Sequence, residues 1–375
     1  MNSTIIYVGE FVLPDKSASA NRVVSNGKVF GKLGYNTVFL GASADNSTFD
    51  GIRKVDGFEN MYEEAHPSTS VQWLKHIFSV KNIVKLVKQY EDVRMIILYN
   101  LPVLTVVQVK RAFRKQNIQI VYDCTEWTTD TNGSLLKKIF KAVDEFFVRN
   151  TLTYIADGII AISNMMMQKY KKCRKLVKIP PLIDTEEPIW HQKRDRNDEN
   201  FEFCFAGIPD GKKESLDKVV SALASIESEN IRLKIVGVTA DEFCRMYPEL
   251  SQLSADLRIE FKGRVSHEQA VKSIIDCDCY IFIREADRRN NAGFPTKFAE
   301  AYTCSAPVIT TKISDVESYF INDEKGVLLD DSSVESIAEA MIRQIEKGRC
   351  ECQRELDSAF STDSFVDDFR LWFEK

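Results

Sequence analysis

Short apolar runs rich in β-branched and aromatic residues alternate with longer amphipathic segments, and this alternation limits the fold more than any other feature of the chain. It is typical of βα units, in which parallel strands are joined by helices that cover the sheet. The pattern predicts an α/β chain with two doubly wound sheets. The predicted strands are Ile5 to Val8, Thr37 to Leu40, Met95 to Tyr99, Ile118 to Tyr122, Gly158 to Ile162 and Leu176 to Pro181 in the first half, and Phe201 to Ala206, Arg232 to Val236, Ile259 to Lys262, Cys279 to Ile283, Val308 to Thr310 and Gly326 to Leu329 in the second.

The length of 375 residues and a hydrophobic fraction of 44% allow two domains with sizeable cores. The boundary is predicted within residues 185–200, because TEEPIWHQKRDRNDEN is polar, charged and without periodicity. Amphipathic segments predict helices at Ala18 to Leu33, Glu214 to Ser225, His267 to Ile275 and Asp363 to Trp372. Gly34 is predicted to end the first of these helices in a left-handed conformation.

Cysteine and histidine usage gives no indication of a metal site. The nine cysteines are an odd number, and Cys277/Cys279 and Cys350/Cys352 have C-x-C spacing rather than the paired C-x-x-C of a zinc site. The four histidines form no HxH or HxxxH pattern. The N-terminus lacks the basic and apolar regions of a signal peptide, and no stretch has the roughly 18 apolar residues of a membrane span. These features predict a cytoplasmic protein with reduced cysteines and no metal cofactor.

Charge is distributed unevenly between the two halves of the chain. Residues 1–188 carry 25 Lys/Arg against 19 Asp/Glu, a net charge of +6, whereas residues 189–375 carry 25 against 36, a net charge of −11. The basic residues fit either solvated helix faces or a surface that meets anionic lipid. Nucleic acid is not predicted as a partner, because the total charge is acidic and no recognition motif occurs. Basic residues concentrate, often beside aromatic ones, in Lys75 to Lys88, Lys110 to Lys115, Lys137 to Lys141 and Lys169 to Lys178.

The segment AGFPTKFAEAYTCSAPVI, residues 292–309, joins a Gly/Pro loop to a helix and then to a buried strand. Open α/β sheets bind phosphorylated ligands in such places. Thr296 is predicted as the N-cap, which places Lys297 in the first turn, where a cation is unfavourable unless an anion is bound beside it. Glu300 follows one turn later on the same face. The predicted ligand-binding residues of this segment are Gly293, Phe294, Thr296, Lys297 and Glu300.

Two other strand ends carry polar residues. FAGIPDGKKESL places Gly207 after a strand and Lys212 and Lys213 before a helix, where the ammonium groups either reach a diphosphate or form an exposed turn. VYDCTEW places Asp123 and Glu126 after a strand of the first half. Two acids at such an edge orient sugar hydroxyls or act as a base, and the alternative for Asp123 is a capping role. No GxGxxG, Walker or GxSxG motif occurs.

Three stretches, FAG...GKK, FKGRVSHEQAVKSIIDCDCYIFIR and GFPTKFAEAYTCSAPVITT, together resemble the nucleotide-sugar half of the family-4-like glycosyltransferases of the GT-B fold. The resemblance covers about residues 200–320 closely and the first half only in outline. It implies two facing Rossmann-like domains, an acceptor-binding one at 1–184 and a nucleotide-sugar-binding one at 185–359. It also implies that the C-terminal helix, within residues 360–375, packs back on the first domain.

By this resemblance, Glu300 matches the second glutamate of the family's Glu-x7-Glu motif, which holds the ribose hydroxyls of the nucleotide. Lys212 or Lys213 matches the phosphate-binding lysine. Two positions depart from the family pattern, because Ala292 stands where the first motif glutamate contacts the donor sugar, and Ile208 stands where many relatives have arginine.

Other residues near these positions are expected to compensate for the departures. Arg284, at the end of the preceding strand, is expected to supply the missing positive charge in a catalytic role. Glu285 or Asp287 is expected to reach the sugar from a shifted loop.

The function implied by the resemblance is transfer of a sugar from a nucleoside-diphosphate sugar, UDP-linked, to a glycan or polyprenyl-linked acceptor. Retention of anomeric configuration and independence of metal are implied as well, since cations and helix dipoles stabilise the leaving diphosphate. We expect a role in surface polysaccharide assembly, with the basic first domain facing an anionic membrane at its inner face. Two alternatives stay open: a nucleotide-sugar epimerase of the same fold, and a glycosyltransferase-like scaffold that binds without turnover.

Overall fold

The computed structural model describes residues 3–13, 17–43, 49–55, 57–64, 79–127, 135–195, 199–207, 214–349 and 352–375. The chain divides into two compact units. Unit 1 comprises Met1–Leu182 together with Thr362–Lys375, and unit 2 comprises Ile183–Ser361. Within the described ranges, no helix is long and apolar enough to cross a membrane.

The strands described in unit 1 are β1 (Thr4–Val12), β2 (Asn36–Ala42), β3 (Phe49–Val55), β4 (Phe58–Glu64), β5 (Val93–Tyr99), β6 (Gln119–Cys124), β7 (Gly158–Ala161) and β8 (Lys175–Lys178). They form a sheet in the order β3-β4-β2-β1-β5-β6-β7-β8. Neighbouring strands are parallel except β3 and β4, which are antiparallel. The order reverses between β1 and β5, as in a doubly wound sheet.

Unit 2 contains the strands β9 (Phe201–Ala206), β10 (Ile231–Val236), β11 (Ile259–Gly263), β12 (Cys279–Ile281), β13 (Val308–Thr311) and β14 (Gly326–Leu329). Their order is β11-β10-β9-β12-β13-β14, and every neighbouring pair is parallel. The reversal lies between β9 and β12. The α/β class with two parallel-sheet domains is therefore confirmed, and every strand predicted from the sequence is present.

The described helices are α1 (Ala18–Lys32), α2 (Lys81–Val87), α3 (Val103–Ala112), α4 (Leu135–Ile155), α5 (Asn164–Lys169), α6 (Leu216–Ser225), α7 (Ala240–Met246), α8 (His267–Asp276), α9 (Arg288–Ala292), α10 (Thr296–Thr303), α11 (Val334–Glu346) and α12 (Val366–Glu374). Short 3-10 helices occupy Pro188–His191, Pro248–Ala255, Val316–Tyr319, Asp323–Lys325 and Thr362–Phe365. Gly34 follows α1 with φ of 84°, which confirms its predicted role, because this left-handed conformation favours glycine.

The C-terminal helix α12 belongs to unit 1 although unit 2 precedes it in the chain. Its aromatic side chains pack against the residues that end α1 and start β2. The Phe369 ring lies edge-on to Phe30 at 4.9 Å, and the Phe373 ring lies 4.6 Å from Tyr35. Trp372 is 1% exposed. The apolar burial of these aromatic rings holds the end of the chain on the first sheet.

The hairpin formed by β3 and β4 was not predicted. Gly57 lies between the two strands with φ of 84°, and the strands pair antiparallel at the edge of the sheet. Both strands are rich in charged residues, which is common at exposed sheet edges and hides the apolar alternation of a strand. The Asp-Gly dipeptide at positions 56 and 57 is a hairpin signal that identifies this turn from sequence.

Candidate functional site

Loops from two strands of unit 2 meet where the strand order of its sheet reverses. Gly207 follows β9, Arg284 lies shortly after β12, and these strands flank the reversal. The Ser215 N–H donates to Ile283 O over 2.9 Å, which fixes the residues before α6 beside the loop that follows β12. Ligands of doubly wound sheets bind in the crevice at such a reversal, so these loops form the candidate site.

Glu214 is a buried carboxylate held between two cations. Its side chain is 4% exposed, and its Oε1 accepts from Arg284 Nη2 and from Lys297 Nζ, each over 2.7 Å. Lys297 lies in the first turn of α10, and its Nζ also lies 5.0 Å from the centroid of the Phe205 ring. The sequence predicted an anion beside Lys297, and the protein itself supplies one.

Protonation in this cluster follows from burial and from the short distances between opposite charges. Burial alone raises the pKa of the Glu214 carboxyl, but Lys297 and Arg284 outweigh that effect and hold the pKa below its ordinary value. Burial lowers the pKa of the Lys297 ammonium, and Glu214 opposes this shift. One carboxylate and two cationic side chains in their ordinary ionised forms give the cluster a net charge of +1. A net positive charge in a partly buried cluster is complementary to a diphosphate.

Gly207 determines where the Lys297 side chain can lie. A Cβ atom at this position would come within 1.7 Å of Lys297 Nζ and 2.2 Å of Lys297 Cε. A side chain at Gly207 therefore requires the flexible end of Lys297 to move. The predicted loop glycine allows the ammonium group to approach the backbone at the end of β9 closely.

The N-terminus of α10 differs from the prediction. Pro295 is the N-cap and Thr296 is the first helical residue, so Thr296 is not the cap. Pro295 makes no side-chain capping hydrogen bond. The fixed φ of proline orders the entry to the helix, and a proline N-cap has no side-chain oxygen with which to satisfy the first backbone N–H groups. A helix N-terminus that its N-cap residue does not cap, lying beside a cation, favours an anionic ligand.

Glu300 lies one turn beyond Lys297 and pairs with a histidine from another element. Its Oε1 is 3.1 Å from Nε2 of His267, the first residue of α8. The two side chains are 15% and 19% exposed, and the Trp190 ring stands edge-on to the imidazole at 6.1 Å. Glu300 and His267 thus present a half-buried polar pair beside the cluster at Glu214. The histidine was not predicted; a His at the start of a helix that follows a strand is the only sequence signal for it.

Two residues of the 292–309 segment, Phe294 and Ala292, are buried within unit 2. Phe294 was predicted to bind ligand, but its side chain is 8% exposed and lies in an aromatic core. Ala292 has no accessible surface and ends the short helix α9. Gly293 O accepts from the Ser314 hydroxyl, which ties the loop to the residues after β13. The rings that contact Phe294 belong to Phe298, Tyr319 and Phe360.

Glu285 and Asp287, the two acids expected to reach a donor sugar, accept hydrogen bonds from other residues of unit 2. Glu285 Oε1 accepts from Lys218 Nζ over 2.6 Å and from Ser332 Oγ over 2.7 Å. The hydrogen bond from Lys218 lowers the pKa of the Glu285 carboxyl. Asp287 caps α9, because its Oδ1 accepts from the Asn290 N–H over 2.6 Å. Both carboxylates stabilise the loop that carries Arg284.

Lys212 and Lys213 lie outside the described residues, so their assignment to a diphosphate stays a prediction. Glu214 is the first described residue after these lysines. The sequence predicted it as the first residue of a helix. The helix α6 begins two residues later, at Leu216. This difference leaves the Glu214 side chain in the loop, where it reaches the neighbouring strand end.

Asp123 lies in the core of unit 1 rather than at an open edge. It is 0% exposed, and Arg22 donates to both carboxylate oxygens over 2.7 to 3.1 Å. The Tyr7 hydroxyl donates to Oδ2, and burial raises the pKa of Tyr7. With both oxygens occupied, Asp123 has a structural position, contrary to the expectation that it orients a sugar hydroxyl. Glu126, the other acid of this pair, is half-buried beyond the end of β6.

Metal ligands do not converge in the part of the chain that the structure describes. Among those residues no group of three or more His, Cys, Asp or Glu side chains is placed to hold a metal ion. The cysteines Cys277 and Cys279 are buried, and burial raises the pKa of the Cys279 thiol. Arg284 and Lys297 bring positive charge to the candidate site.

Comparison with protein families identifies unit 2. Residues 186–360 match the model of the family described as glycosyl transferases group 1. No curated protein sequence matches the chain significantly.

Solved structures share the architecture of the whole chain at low sequence identity. Sucrose-phosphate synthase from Thermosynechococcus elongatus is 15% identical with a TM-score of 0.71, over 100% of this chain and 98% of that one. HepE from Anabaena, solved with UDP and glucose, is 12% identical with a TM-score of 0.67 and covers 99% of both chains. The lipopolysaccharide outer core galactosyltransferase WaaB is 15% identical with a TM-score of 0.63, again over 99% of both chains.

These likenesses extend over both units, and the family match falls within the unit that carries the cluster at Glu214. The resemblance inferred from sequence is thereby confirmed at the level of fold and family. Residues 186–360 form a glycosyl transferases group 1 domain, and the chain as a whole has the GT-B fold.

Proposed function

We propose that this glycosyltransferase moves a sugar from a UDP-sugar to a glycan or polyprenyl-linked acceptor, with retention of configuration and without a metal ion. The observation that carries the donor assignment is the pairing of Arg284 and Lys297 on Glu214, one helical turn from Glu300. The choice of UDP rests on HepE, a structure of similar fold that was solved with UDP and glucose.

Each of these residues has a role in the proposed donor site. The Glu300 carboxylate accepts hydrogen bonds from the ribose hydroxyls, and His267 holds that carboxylate in place. The cations Arg284 and Lys297 contact the diphosphate, while Glu214 positions them and balances part of their charge when the site is empty. The N-terminus of α10 adds its partial positive charge on the same side.

Transfer breaks the bond between the anomeric carbon and the diphosphate, and the bonding electron pair stays on the departing diphosphate. Negative charge therefore grows where Arg284 and Lys297 lie. Fixed cations in a half-buried site stabilise this charge more than water does, because they need no reorganisation during the reaction. In this proposal, Arg284 and Lys297 stabilise the departing diphosphate without a metal ion.

The proposed acceptor and cellular role rest on the charge of the first half of the chain and on a structure of similar fold. The charge of +6 over residues 1–188 favours an anionic acceptor such as a polyprenyl diphosphate, and a position at the inner face of a membrane. A structure of similar fold is a lipopolysaccharide galactosyltransferase. We therefore place the enzyme in the assembly of a surface polysaccharide.

A calorimetric titration with UDP, ADP, GDP and CMP, followed by product analysis with the corresponding sugars, tests this function. We expect UDP to bind most tightly and a UDP-sugar to give a product with a new glycosidic bond. An epimerised nucleotide-sugar without any acceptor product would show an epimerase instead. Binding of UDP-sugar with neither hydrolysis nor transfer would show a scaffold without turnover.

A further inference from the structure

An exposed apolar stripe runs along the long helix α4 of unit 1. Its residues recur at spacings of three, four and seven, so they lie on one face of the helix. Each is well exposed for an apolar side chain, and Asn150 lies on the same face between Phe147 and Tyr154. The stripe comprises Ile139 (53% exposed), Val143 (50%), Phe146 (62%), Phe147 (44%) and Tyr154 (69%).

The opposite face of α4 already packs on unit 1, so the stripe is not required for folding. Val148 and Leu152 are 7% and 0% exposed. Asp144, also on this face, accepts from the Val103 N–H at the start of α3 over 2.9 Å. Within the described part of the chain, α4 is therefore held by one face and keeps its apolar face exposed.

Lysines border this stripe. Lys169 Nζ lies 3.1 Å from Oδ1 of Asn150, and Lys172 Nζ lies 3.5 Å from the Tyr154 hydroxyl. Asn150 follows Phe146 by one turn and lies on the same face. Met165, four residues before Lys169 on α5, is also apolar and is 40% exposed.

Acidic residues of α4 are turned away from the stripe. Its two acids, Asp144 and Glu145, are half-buried, and Glu145 pairs with Arg149 at 3.8 Å. The stripe with Lys169 and Lys172 therefore joins exposed aromatic and aliphatic side chains to positive charge, which is the composition of a helix that lies in the interface of an anionic bilayer.

We propose that this stripe, with Lys169 and Lys172, docks on an anionic lipid surface. The inference rests on the membrane placement in the proposed function and names the surface that makes the contact. The apolar side chains enter the boundary between headgroups and acyl chains, and the ammonium groups meet the anionic headgroups. A second copy of the chain fits less well, because a two-fold contact brings the same lysines of both copies together.

Sedimentation with vesicles tests this surface. The probes are phosphatidylcholine vesicles with roughly a third phosphatidylglycerol, and pure phosphatidylcholine vesicles, each at low and high salt. We expect the wild type to bind the anionic vesicles at low salt only, and F146S/F147S to bind at least about tenfold more weakly. K169E/K172E should lose the preference for anionic lipid.

The matched control is L257S/I321S, which removes two exposed apolar residues of unit 2 that are 94% and 74% exposed. It should bind vesicles like the wild type, and all variants should keep their melting temperatures. Equal binding by F146S/F147S and the wild type, or no binding by the wild type, would overturn the proposal. A wild-type dimer that F146S/F147S converts to a monomer would overturn it as well, in favour of self-association.

A UDP titration of the same variants separates this inference from the donor assignment. We expect unchanged UDP affinity in every stripe variant, because the stripe lies in unit 1 and the donor residues lie in unit 2. Failure of the wild type to bind UDP contradicts the donor site and leaves the vesicle result intact.

Discussion

Replacing Lys297 with methionine removes one cation from the candidate diphosphate site while keeping the length of the side chain. In the structure, Lys297 Nζ contacts the 4%-exposed Glu214 side chain at 2.7 Å, and Arg284 contacts the same oxygen. The variant therefore keeps a partner for Glu214 and loses one charged contact to the diphosphate. A hydrogen bond to a charged group contributes about 1.5 to 3 kcal/mol, so we expect UDP to bind roughly 10- to 100-fold more weakly.

A matched lysine in the same sheet separates this effect from a general loss of stability. Lys234 Nζ contacts Glu202 Oε1 at 2.7 Å, and both side chains are 16% exposed, but they lie within β10 and β9 rather than in the loops at the strand ends. Because each variant leaves a partly buried carboxylate with one fewer partner, we expect both to lose about 1 to 3 kcal/mol of unfolding free energy. Calorimetric titration should show weaker UDP binding only for K297M.

Two results would refute the reasoning. Wild-type UDP affinity in K297M would remove Lys297 from the diphosphate site. Equal weakening in K234M would mean that the change in affinity reports the stability of unit 2 rather than a contact with the ligand.

Three further substitutions have defined outcomes. Glu300→Ala should raise the dissociation constant of UDP at least about tenfold, about 1.4 kcal/mol, since the ribose loses a charged acceptor, and an unchanged constant would remove Glu300 from the site. Burial raises the pKa of Asp144 to about 6, above its ordinary value of 3.8, so the folded state retains a proton that the unfolded state releases between these pH values. The free energy of unfolding should therefore fall by up to about 2 kcal/mol as the pH rises from about 4 to 6, and Asp144→Asn should abolish this fall; equal pH profiles in denaturant melts would contradict the argument. Arg22→Met should cost about 3 to 5 kcal/mol of unfolding free energy, because it leaves the buried Asp123 carboxylate without its cation, and a cost below about 1 kcal/mol would contradict the role of that pair.

The alternation of apolar runs was sufficient to predict most elements of both sheets. Parallel strands buried on both faces have a strong apolar signal, as in Phe201–Ala206, where the predicted and observed bounds agree. The strands β3 and β4 lack this signal because they form the polar edge of the sheet, and only the turn at Gly57 marks them. Periodicity thus identifies buried strands better than edge strands.

Residue pairs in the candidate site depended on tertiary packing, which local sequence does not contain. The first-turn position of Lys297 indicated a neighbouring anion, but Glu214 is 83 residues away in sequence. Asp123, at the end of a strand, has the same local sequence pattern as a site residue. Only the structure shows that it is buried and paired with Arg22, 101 residues away. The local sequence therefore indicated that Lys297 needs an anionic partner. Only the folded structure identifies that partner as Glu214.

A crystal structure of the chain with bound UDP tests the central claim most directly. We expect the ribose hydroxyls within hydrogen-bond distance of the Glu300 carboxylate, and the diphosphate in contact with Lys297 and Arg284 beside the N-terminus of α10. UDP bound with its ribose away from Glu300 and its phosphates away from both cations would contradict it.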